Sequence, residues 1–319
     1  MKKMILGLMI CLPFISIGQH KKESNMVHIL KNKNLEIRID LPLENYQLSR
    51  FDWTGKIVSV KFKGVDVAGT ERLNSEDDNS FGKGFYNEFG IETPVGFDDC
   101  EEGDWFPKIG VGSLKKEGDS YSFSKDYKIQ PADFKVIAET NKLVVVCKSQ
   151  SINAYSYVLK KEIKLLGNGF VIKYQLHNTG DKTISTNEYN HNFLAINKDL
   201  IGSNYILKFP FKIKPELFGA AVNPEGIVEI GDHKITFNNT PEEQFFFSNL
   251  SGGENVDAIW ELVNTKSKIG IRETGSFKTN KANLWGWKHV ISPELFLDIN
   301  VKPGQTIEWT RMYNLFEVN

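Results

Sequence analysis

A histidine flanked by asparagines is the first group in this sequence that could carry acid–base chemistry. It lies in the run Asn187-Glu188-Tyr189-Asn190-His191-Asn192-Phe193. Histidine titrates near neutral pH and is the most common general acid or base. A neighbouring amide such as Asn190 can orient the imidazole ring or bind a substrate hydroxyl. We therefore predict that His191 is catalytic and that Asn190 binds substrate, with a purely structural histidine as the alternative.

A second group combines two tryptophans with a carboxylate near the C-terminus. Trp285 and Trp287 are two positions apart, so on a strand their rings share one face. An aromatic face packs well against the C–H groups of a sugar ring. Glu294 stands between a proline and apolar residues, where burial would raise its pKa and suit it to act as a base. The alternative is a pair of ordinary core or surface tryptophans.

A third group lies in the long, glycine-rich segment of residues 71–112. Asn87, Glu88 and Lys108 supply amide, carboxylate and ammonium groups among aromatic residues there. Long segments without regular structure in compact domains are often functional. We predict an irregular segment that forms one wall of the site and binds substrate through these three residues. A solvated insertion or a structural turn cluster is the alternative.

Several common sites are absent from the sequence. It has no phosphate-binding loop, no Gly-x-Ser-x-Gly turn, no His-Glu-x-x-His motif and no Cys-x-x-Cys pair. The 6 histidines form no close pair at metal-ligand spacing. We therefore expect no metal site.

The elements that must position these residues read as β-strands. Apolar–polar alternation occurs at residues 35–41, 58–62 and 171–176, and a β-branched apolar run covers 143–146. Residues 301–309 hold two further runs around a Pro-Gly turn. No long stretch shows the i, i+3, i+4, i+7 apolar spacing of a helix. The sequence therefore predicts an all-β fold.

Length and charge limit the class of protein further. The 319 residues carry 39 Lys and Arg against 40 Asp and Glu, a balance that argues against a nucleic-acid ligand. Residues 1–18 have the basic, apolar and small-residue order of a signal peptide. We expect a single exported domain over residues 19–319, periplasmic or extracellular, with no membrane attachment after the signal is removed. Cys100 and Cys147 could pair after export, but separate buried thiols are favoured.

Taken together, these segments resemble the galactose mutarotase (aldose 1-epimerase) superfamily. The run around Asn190 and His191 is similar to the family's Asn-His motif, whose histidine is the catalytic acid. Ser-Pro-Glu294, the Pro-Gly turn and the last strand are similar to the family's C-terminal end, where a catalytic glutamate precedes such a turn. The segments around Asn87 and Lys108 resemble a secreted, Bacteroidetes-type branch. Asn87-Glu88-Phe89-Gly90 stands about where the galactose enzymes have His-Gly-Gly.

The resemblance covers roughly residues 30–317 and implies a β-supersandwich, a large two-layer antiparallel fold. It implies that Glu294 removes the anomeric hydroxyl proton of a sugar while protonated His191 donates to the ring oxygen. The ligand would be a monosaccharide or an oligosaccharide, and no cofactor would be required. Two alternatives remain, namely a non-catalytic carbohydrate-binding or glycan-processing accessory protein and a structural sandwich of the cell envelope. The oligomeric state is not predicted.

Overall fold

The computed structural model describes residues 27–73 and 79–318. The predicted signal peptide lies outside these residues. Within them the chain forms 24 β-strands and the two 3-10 turns Ile196–Lys198 and Pro215–Leu217, with no α-helix. Every strand pairing in this part of the chain is antiparallel. The all-β prediction is therefore confirmed. No helix among the described residues is long and apolar enough to cross a membrane.

The strands are numbered in chain order. The first twelve are β1 (Val27–Lys31), β2 (Leu35–Asp40), β3 (Lys56–Phe62), β4 (Val65–Asp66), β5 (Phe85–Phe89), β6 (Trp105–Lys108), β7 (Gly112–Lys115), β8 (Ile129–Pro131), β9 (Asp133–Ala138), β10 (Lys142–Lys148), β11 (Tyr157–Leu166) and β12 (Gly169–Asn178). The other twelve are β13 (Ile184–Asn192), β14 (Tyr205–Lys208), β15 (Ala221–Val222), β16 (Val228–Ile230), β17 (Lys234–Phe237), β18 (Phe245–Phe247), β19 (Val256–Asn264), β20 (Ile269–Thr279), β21 (Ala282–Trp287), β22 (Val290–Leu295), β23 (Leu297–Val301) and β24 (Thr306–Glu317).

Two large sheets make up most of the molecule. A 10-stranded sheet runs in the order β16-β17-β14-β19-β20-β24-β12-β11-β10-β9. A 7-stranded sheet runs β1-β2-β3-β5-β13-β23, with β4 paired to β3. One apolar core lies between them, in which Phe85 of the smaller sheet contacts Phe170 and Tyr313 of the larger one. Two layers of sheet that bury one face each against the other are the stable solution for such alternating strands.

Two small sheets complete the fold. A 4-stranded sheet has the order β15-β18-β21-β22, and a 3-stranded sheet has the order β6-β7-β8. Leu194, just after β13, forms an isolated bridge with Ile291 of β22. This bridge holds the 4-stranded sheet against the end of β13 and brings the two predicted catalytic segments together.

The runs predicted from the sequence all fall on strands. They lie on β2, β3, β10 and β12, and on the consecutive strands β23 and β24, which belong to different sheets. In β12 buried positions alternate with partly buried or exposed ones over most of its length, as a strand with one core-facing side requires. The thiols of Cys100 and Cys147 are free and buried in different apolar clusters, as favoured from the sequence.

The segment of residues 71–112 differs from its prediction as an irregular wall. It contains β5, whose five residues are all buried and which pairs with β13 and β3 in the centre of the 7-stranded sheet. Both faces of this strand are covered, so its sequence does not alternate between apolar and polar residues. The sequence did not predict this strand because polar residues such as Asn87 and Glu88 are uncommon in a fully buried strand.

Candidate active site

The predicted catalytic histidine lies on β13. One face of this strand contacts the 10-stranded sheet and the other lines a cavity. Glu188, Asn190 and Asn192 face the 10-stranded sheet, where they bind Arg311, Tyr313 and Glu273 respectively. The intervening Tyr189 and His191 face the other way and line a cavity. The period-2 geometry of a strand thus separates a supporting polar face from the face that can meet a ligand.

The predicted catalytic glutamate lies on the neighbouring β22. In the pairing of β21 with β22, Asn283 is opposite Glu294 and Trp285 is opposite Ser292. Asn283, Trp285 and Glu294 line the same cavity as His191. Two strands from different sheets therefore deliver the histidine and the carboxylate to one place, which sequence spacing could not show.

His191 and Glu294 are in direct contact. Nε2 of His191 lies 3.1 Å from Oε1 of Glu294. On the other side of the ring, Nδ1 of His191 lies 2.6 Å from Oγ of Ser292, and that hydroxyl also donates to Oε1 of Glu294 over 3.5 Å. The ring stacks on Phe193 with centroids 4.0 Å apart. Contacts on both nitrogens and one face fix the orientation of the imidazole.

Burial shifts the protonation of this pair. It raises the pKa of Glu294 to about 8, because removal from water disfavours the carboxylate. Burial, reinforced by the positive charge of Arg50, lowers the pKa of His191 well below its usual value. Near neutral pH the carboxyl of Glu294 is therefore protonated and the imidazole of His191 is neutral, so the pair holds one titratable proton, on Glu294. The mechanism expected from the resemblance starts with this proton on His191.

Arg50 is the cation of the site. Its guanidinium donates from Nε to Oε2 of Glu88 at 3.1 Å and lies 3.4 Å from Oε1 of Glu71. It also stacks between the rings of Phe51 and Phe123, 4.5 and 4.7 Å from their centroids. Two carboxylates and two rings hold this side chain rigidly at the edge of the cavity.

The cavity has a volume of about 410 Å³, within the range of small-molecule sites. We call it the central cavity. It combines aromatic and apolar walls with an acid–base pair, amides and a cation. Its lining residues are Arg50, Glu71, Ile91, Glu92, Phe123, Tyr189, His191, Gln244, Phe246, Asn283, Trp285, Glu294 and Phe296.

The residues predicted on the long segment lie behind this cavity. Glu88 is fully buried and holds Arg50 and the hydroxyl of Tyr189, both of which line the cavity. Lys108 donates to Phe89 O at 2.6 Å and to the Tyr121 hydroxyl at 2.9 Å, and burial lowers its pKa to about 8. Asn87 binds Glu188 and Tyr189 O. None of the three lines the central cavity, so the structure does not place them in contact with a ligand bound there.

Two further predicted binding residues also lie away from the central cavity. Asn190 points into the core and donates to Asn192 and to the hydroxyl of Tyr313 at 2.8 Å, because it occupies the sheet-facing side of β13. Trp287 shares a strand face with Trp285, as predicted, but lies one pair further along β21. Its indole donates to Glu242 O at 2.7 Å and its ring contacts Arg72. Trp285 alone of the two tryptophans lines the cavity.

Arg50, Ser292, Asn283 and Gln244 were missed by sequence reasoning. Ser292 was visible within Ser-Pro-Glu294, and its position two residues before Glu294 on a strand predicts a shared face. Arg50 and Gln244 lie in loops far from the motifs, and no local pattern distinguishes them. Among residues 27–73 and 79–318 no cluster of three His, Cys, Asp or Glu side chains could hold a metal.

Comparison of the sequence with family models and with curated proteins finds no match. Solved structures with similar folds do exist. A candidate aldose 1-epimerase from Escherichia coli superposes with a TM-score of 0.59 at 8% identity, over 92% of this chain and 99% of that one. A galactose mutarotase related enzyme from Lactobacillus acidophilus gives 0.53 at 10% identity, over 92% and 100%. A galactose mutarotase-like protein from Clostridium acetobutylicum gives 0.55 at 13% identity, over 91% and 95%. The chain therefore has the galactose mutarotase-like fold, the β-supersandwich implied by the resemblance.

Proposed function

We propose that this protein is an aldose 1-epimerase-like enzyme that interconverts the anomers of a free sugar. The observation that carries the proposal is the contact between His191 and Glu294 in a lined cavity. Acid–base ring opening needs one group that accepts a proton and one that donates a proton, both within reach of a single sugar ring. A buried pair that holds one proton meets this need.

In the proposed reaction His191 begins as the base and Glu294 as the acid. Nε2 of His191 takes the proton of the anomeric hydroxyl while Glu294 gives its proton to the ring oxygen. The bond between C1 and the ring oxygen breaks and the C1 carbonyl forms. After rotation about C1–C2, the ring oxygen attacks the other face of the carbonyl and both protons return. The roles at the start are the reverse of those implied by the resemblance, but the catalytic residues are the same.

Ser292 supports this direction of transfer. A base at Nε2 requires the imidazole proton at Nδ1, and the Ser292 hydroxyl, 2.6 Å away, can accept it. The same hydroxyl can then donate to Glu294. In this assignment Nδ1 of His191 donates to Ser292, and protonated Glu294 can donate to Nε2 of His191 over 3.1 Å.

The remaining cavity walls suit a sugar. Trp285 and Phe296 offer apolar faces, and Asn283, Gln244 and Arg50 offer groups that hydrogen-bond hydroxyls. An apolar surface with a few polar groups that fix orientation is typical of small-molecule sites. Arg50 would bind a ring substituent or stabilise negative charge that develops on oxygen in the transition state.

The experiment is polarimetry on freshly dissolved α-anomers of glucose, galactose and other aldoses. The proposal predicts that at least one sugar reaches its anomeric equilibrium faster with the protein than with heat-denatured protein. If sugars bind, as judged by calorimetry, but none exchanges faster, the second candidate holds. That candidate is a carbohydrate-binding or glycan-processing accessory protein, which needs the same walls without the proton transfers.

We also propose that the enzyme works outside the cytoplasm. The basic, apolar and small-residue order of residues 1–18 supports export. Mass spectrometry of the protein recovered from the periplasm or the medium should find an N-terminus at Gln19. A cytoplasmic product that retains Met1 would contradict this proposal.

A further inference from the structure

Two further cavities adjoin the central cavity. The first, here called the tyrosine cavity after Tyr121 and Tyr155, has a volume of about 360 Å³ and shares Glu92 with the central cavity. The second, the arginine cavity named after Arg50 and Arg72, has about 320 Å³ and shares Arg50, Glu71 and Phe123 with it.

One loop connects all three. Residues 116–128 join β7 to β8, and they meet the cavities in chain order. Residues 119–121 line the tyrosine cavity, Phe123 lines the central cavity, and residues 123–126 line the arginine cavity. The three cavities therefore lie in a row along this loop, with the acid–base pair in the middle one. One monosaccharide at the pair would leave the outer cavities unused.

The boundary toward the arginine cavity is closed by fixed side chains. Arg50 and Glu71 form an ion pair there, and the guanidinium stacks between Phe51 and Phe123. The bond from Arg50 to buried Glu88 adds a third anchor. A ligand could cross this boundary only by breaking an ion pair that is largely removed from water, which is costly.

The boundary toward the tyrosine cavity is open by comparison. Its shared residue, Glu92, has 66% of its side chain exposed and pairs with Lys281 at the surface. Surface ion pairs of this kind contribute little to stability, so Glu92 can move aside or bind a hydroxyl at little cost.

The chemistry of the tyrosine cavity suits an uncharged glycan. Phe97, Tyr121 and Tyr155 provide ring surfaces, while Ser120 and Ser185 provide hydroxyls. Among the described residues, the lining of the cavity contains four carboxylates and no lysine or arginine. Lysines pair with two of the carboxylates, Glu92 and Asp99, and the remaining negative charge disfavours a phosphate or a carboxylate on the ligand. Carboxylates accept hydrogen bonds from sugar hydroxyls well.

We propose that the substrate is a neutral oligosaccharide whose reducing-end unit lies at His191 and Glu294 and whose next unit occupies the tyrosine cavity. Only the reducing-end unit has a free anomeric hydroxyl, so it alone can undergo the exchange. This inference rests on the proposed function and extends it to the class of substrate.

The test compares kcat/KM for anomer exchange of glucose with that of maltose, cellobiose and lactose, which all have glucose at the reducing end. Galactose is compared in the same way with galactobiose, which has galactose at the reducing end. At least one oligosaccharide should exceed its reducing-end monosaccharide by about tenfold, the value of one or two additional hydrogen bonds. Ser120→Trp would fill the tyrosine cavity and should bring this ratio close to one. Ser124→Trp is the matched control, since it makes the same change at an exposed position of the same loop in the arginine cavity.

The outcomes separate the two proposals. If no sugar exchanges faster, the proposed function fails and this inference fails with it. If sugars exchange faster but no oligosaccharide exceeds its monosaccharide, the inference alone is wrong. It is also wrong if Ser124→Trp, rather than Ser120→Trp, removes the preference for oligosaccharides. Circular dichroism of both variants would verify that each is folded.

Discussion

At the scale of single residues, burial shifts the pKa values of His191 and Glu294 in opposite directions and so suits them to acid–base chemistry. In water a glutamate would be ionised and a histidine partly protonated at neutral pH. In the cavity the carboxyl keeps its proton to about pH 8 and the imidazole remains neutral. A pair with opposite shifts supplies an acid and a base under the same conditions.

This protonation leads to a specific pH profile. The reaction requires one proton on the pair, so kcat/KM should fall above about pH 8, tenfold per pH unit at the limit, as Glu294 loses its proton. The acidic limb should lie below pH 6.5, because the pKa of His191 is lowered. Initial rates of anomer exchange measured from pH 4 to 10 would show this. A rate that continues to rise beyond pH 9 would contradict the assignment of Glu294 as the acid.

Ser292 should act as a positioning residue. Ser292→Ala removes the acceptor for Nδ1 of His191 and should lower kcat by about tenfold or more, the usual cost of losing one hydrogen bond to a catalytic group. The alkaline limb of the pH profile should also shift, since the same hydroxyl contacts Glu294. Ser292→Thr, which retains the hydroxyl, should restore both. An unchanged pH profile in Ser292→Ala would show that Ser292 contributes packing and does not position the catalytic pair.

The residues of the site were only partly predictable. The types and neighbours of His191, Glu294 and Trp285 indicate chemistry, and the structure places all three around one cavity. Asn190 lies on the core-facing side of β13, away from the central cavity, and the sequence does not show which face of a strand meets a ligand. Polar residues in a glycine-rich segment suggest exposure, but Asn87, Glu88 and Lys108 are buried and bonded inside the protein.

At the scale of elements, β13 is held in register by a buried ionic cluster. Arg311 of β24 donates to both carboxylate oxygens of Glu188, at 3.1 and 2.8 Å, and to Glu273 of β20 at 2.5 Å. All three side chains are fully buried. The cluster links the strand that carries His191 to the centre of the 10-stranded sheet, and a slip of one residue would break it.

Removal of the cation should therefore be costly. Arg311→Met leaves two buried carboxylates without a counter-charge and should lower the free energy of unfolding by about 3–5 kcal/mol. The control is Lys173→Met, which breaks an exposed pair with Glu308 and should cost about 0–1 kcal/mol. Urea unfolding followed by tryptophan fluorescence measures both. Equal effects for the two variants would show that the buried cluster does not stabilise the fold.

The alternating strands were predictable because one of their faces meets the core. β5 was not, because it is covered on both faces and its polar residues form ion pairs and hydrogen bonds rather than meeting solvent. The pairing of β13 with β5, and the bridge that brings β22 beside β13, join segments about a hundred residues apart. Sequence periodicity is local and contains no information on such partners.

At the scale of the whole molecule, the burial of Glu294 in the site lowers the stability of the fold at alkaline pH. Glu294 has a native pKa of about 8 against an ordinary value of 4.5, so between these pH values the native state binds a proton that the unfolded state lacks. Stability contributed by this group therefore decreases as the pH rises through that window. Glu294→Gln does not titrate and escapes this loss.

The stability difference between Glu294→Gln and the wild-type protein should consequently grow with pH. Thermal unfolding at pH 5 and at pH 8.5 should show the variant gaining several degrees of Tm relative to wild type at the higher pH. His191 is present in both proteins, so its own titration largely cancels in the comparison. A Tm difference that is the same at both pH values would show that the carboxyl is not held protonated.

The two-layer architecture itself is shared with proteins only 8–13% identical to this chain. Such a fold can be built by many sequences, because it needs alternating strands and a filled core rather than particular residues. The reaction depends instead on a few side chains, and these must be tested directly.

The measurement that tests the central claim most directly is the anomer exchange rate of a free aldose or oligosaccharide, followed by NMR magnetisation transfer at equilibrium. We expect the wild-type protein to accelerate exchange. His191→Ala and Glu294→Gln should each reduce that acceleration by about 10²–10⁴-fold while remaining folded. Glu308→Gln, a surface control, should have no effect. Exchange that persists undiminished in both His191→Ala and Glu294→Gln would contradict the account.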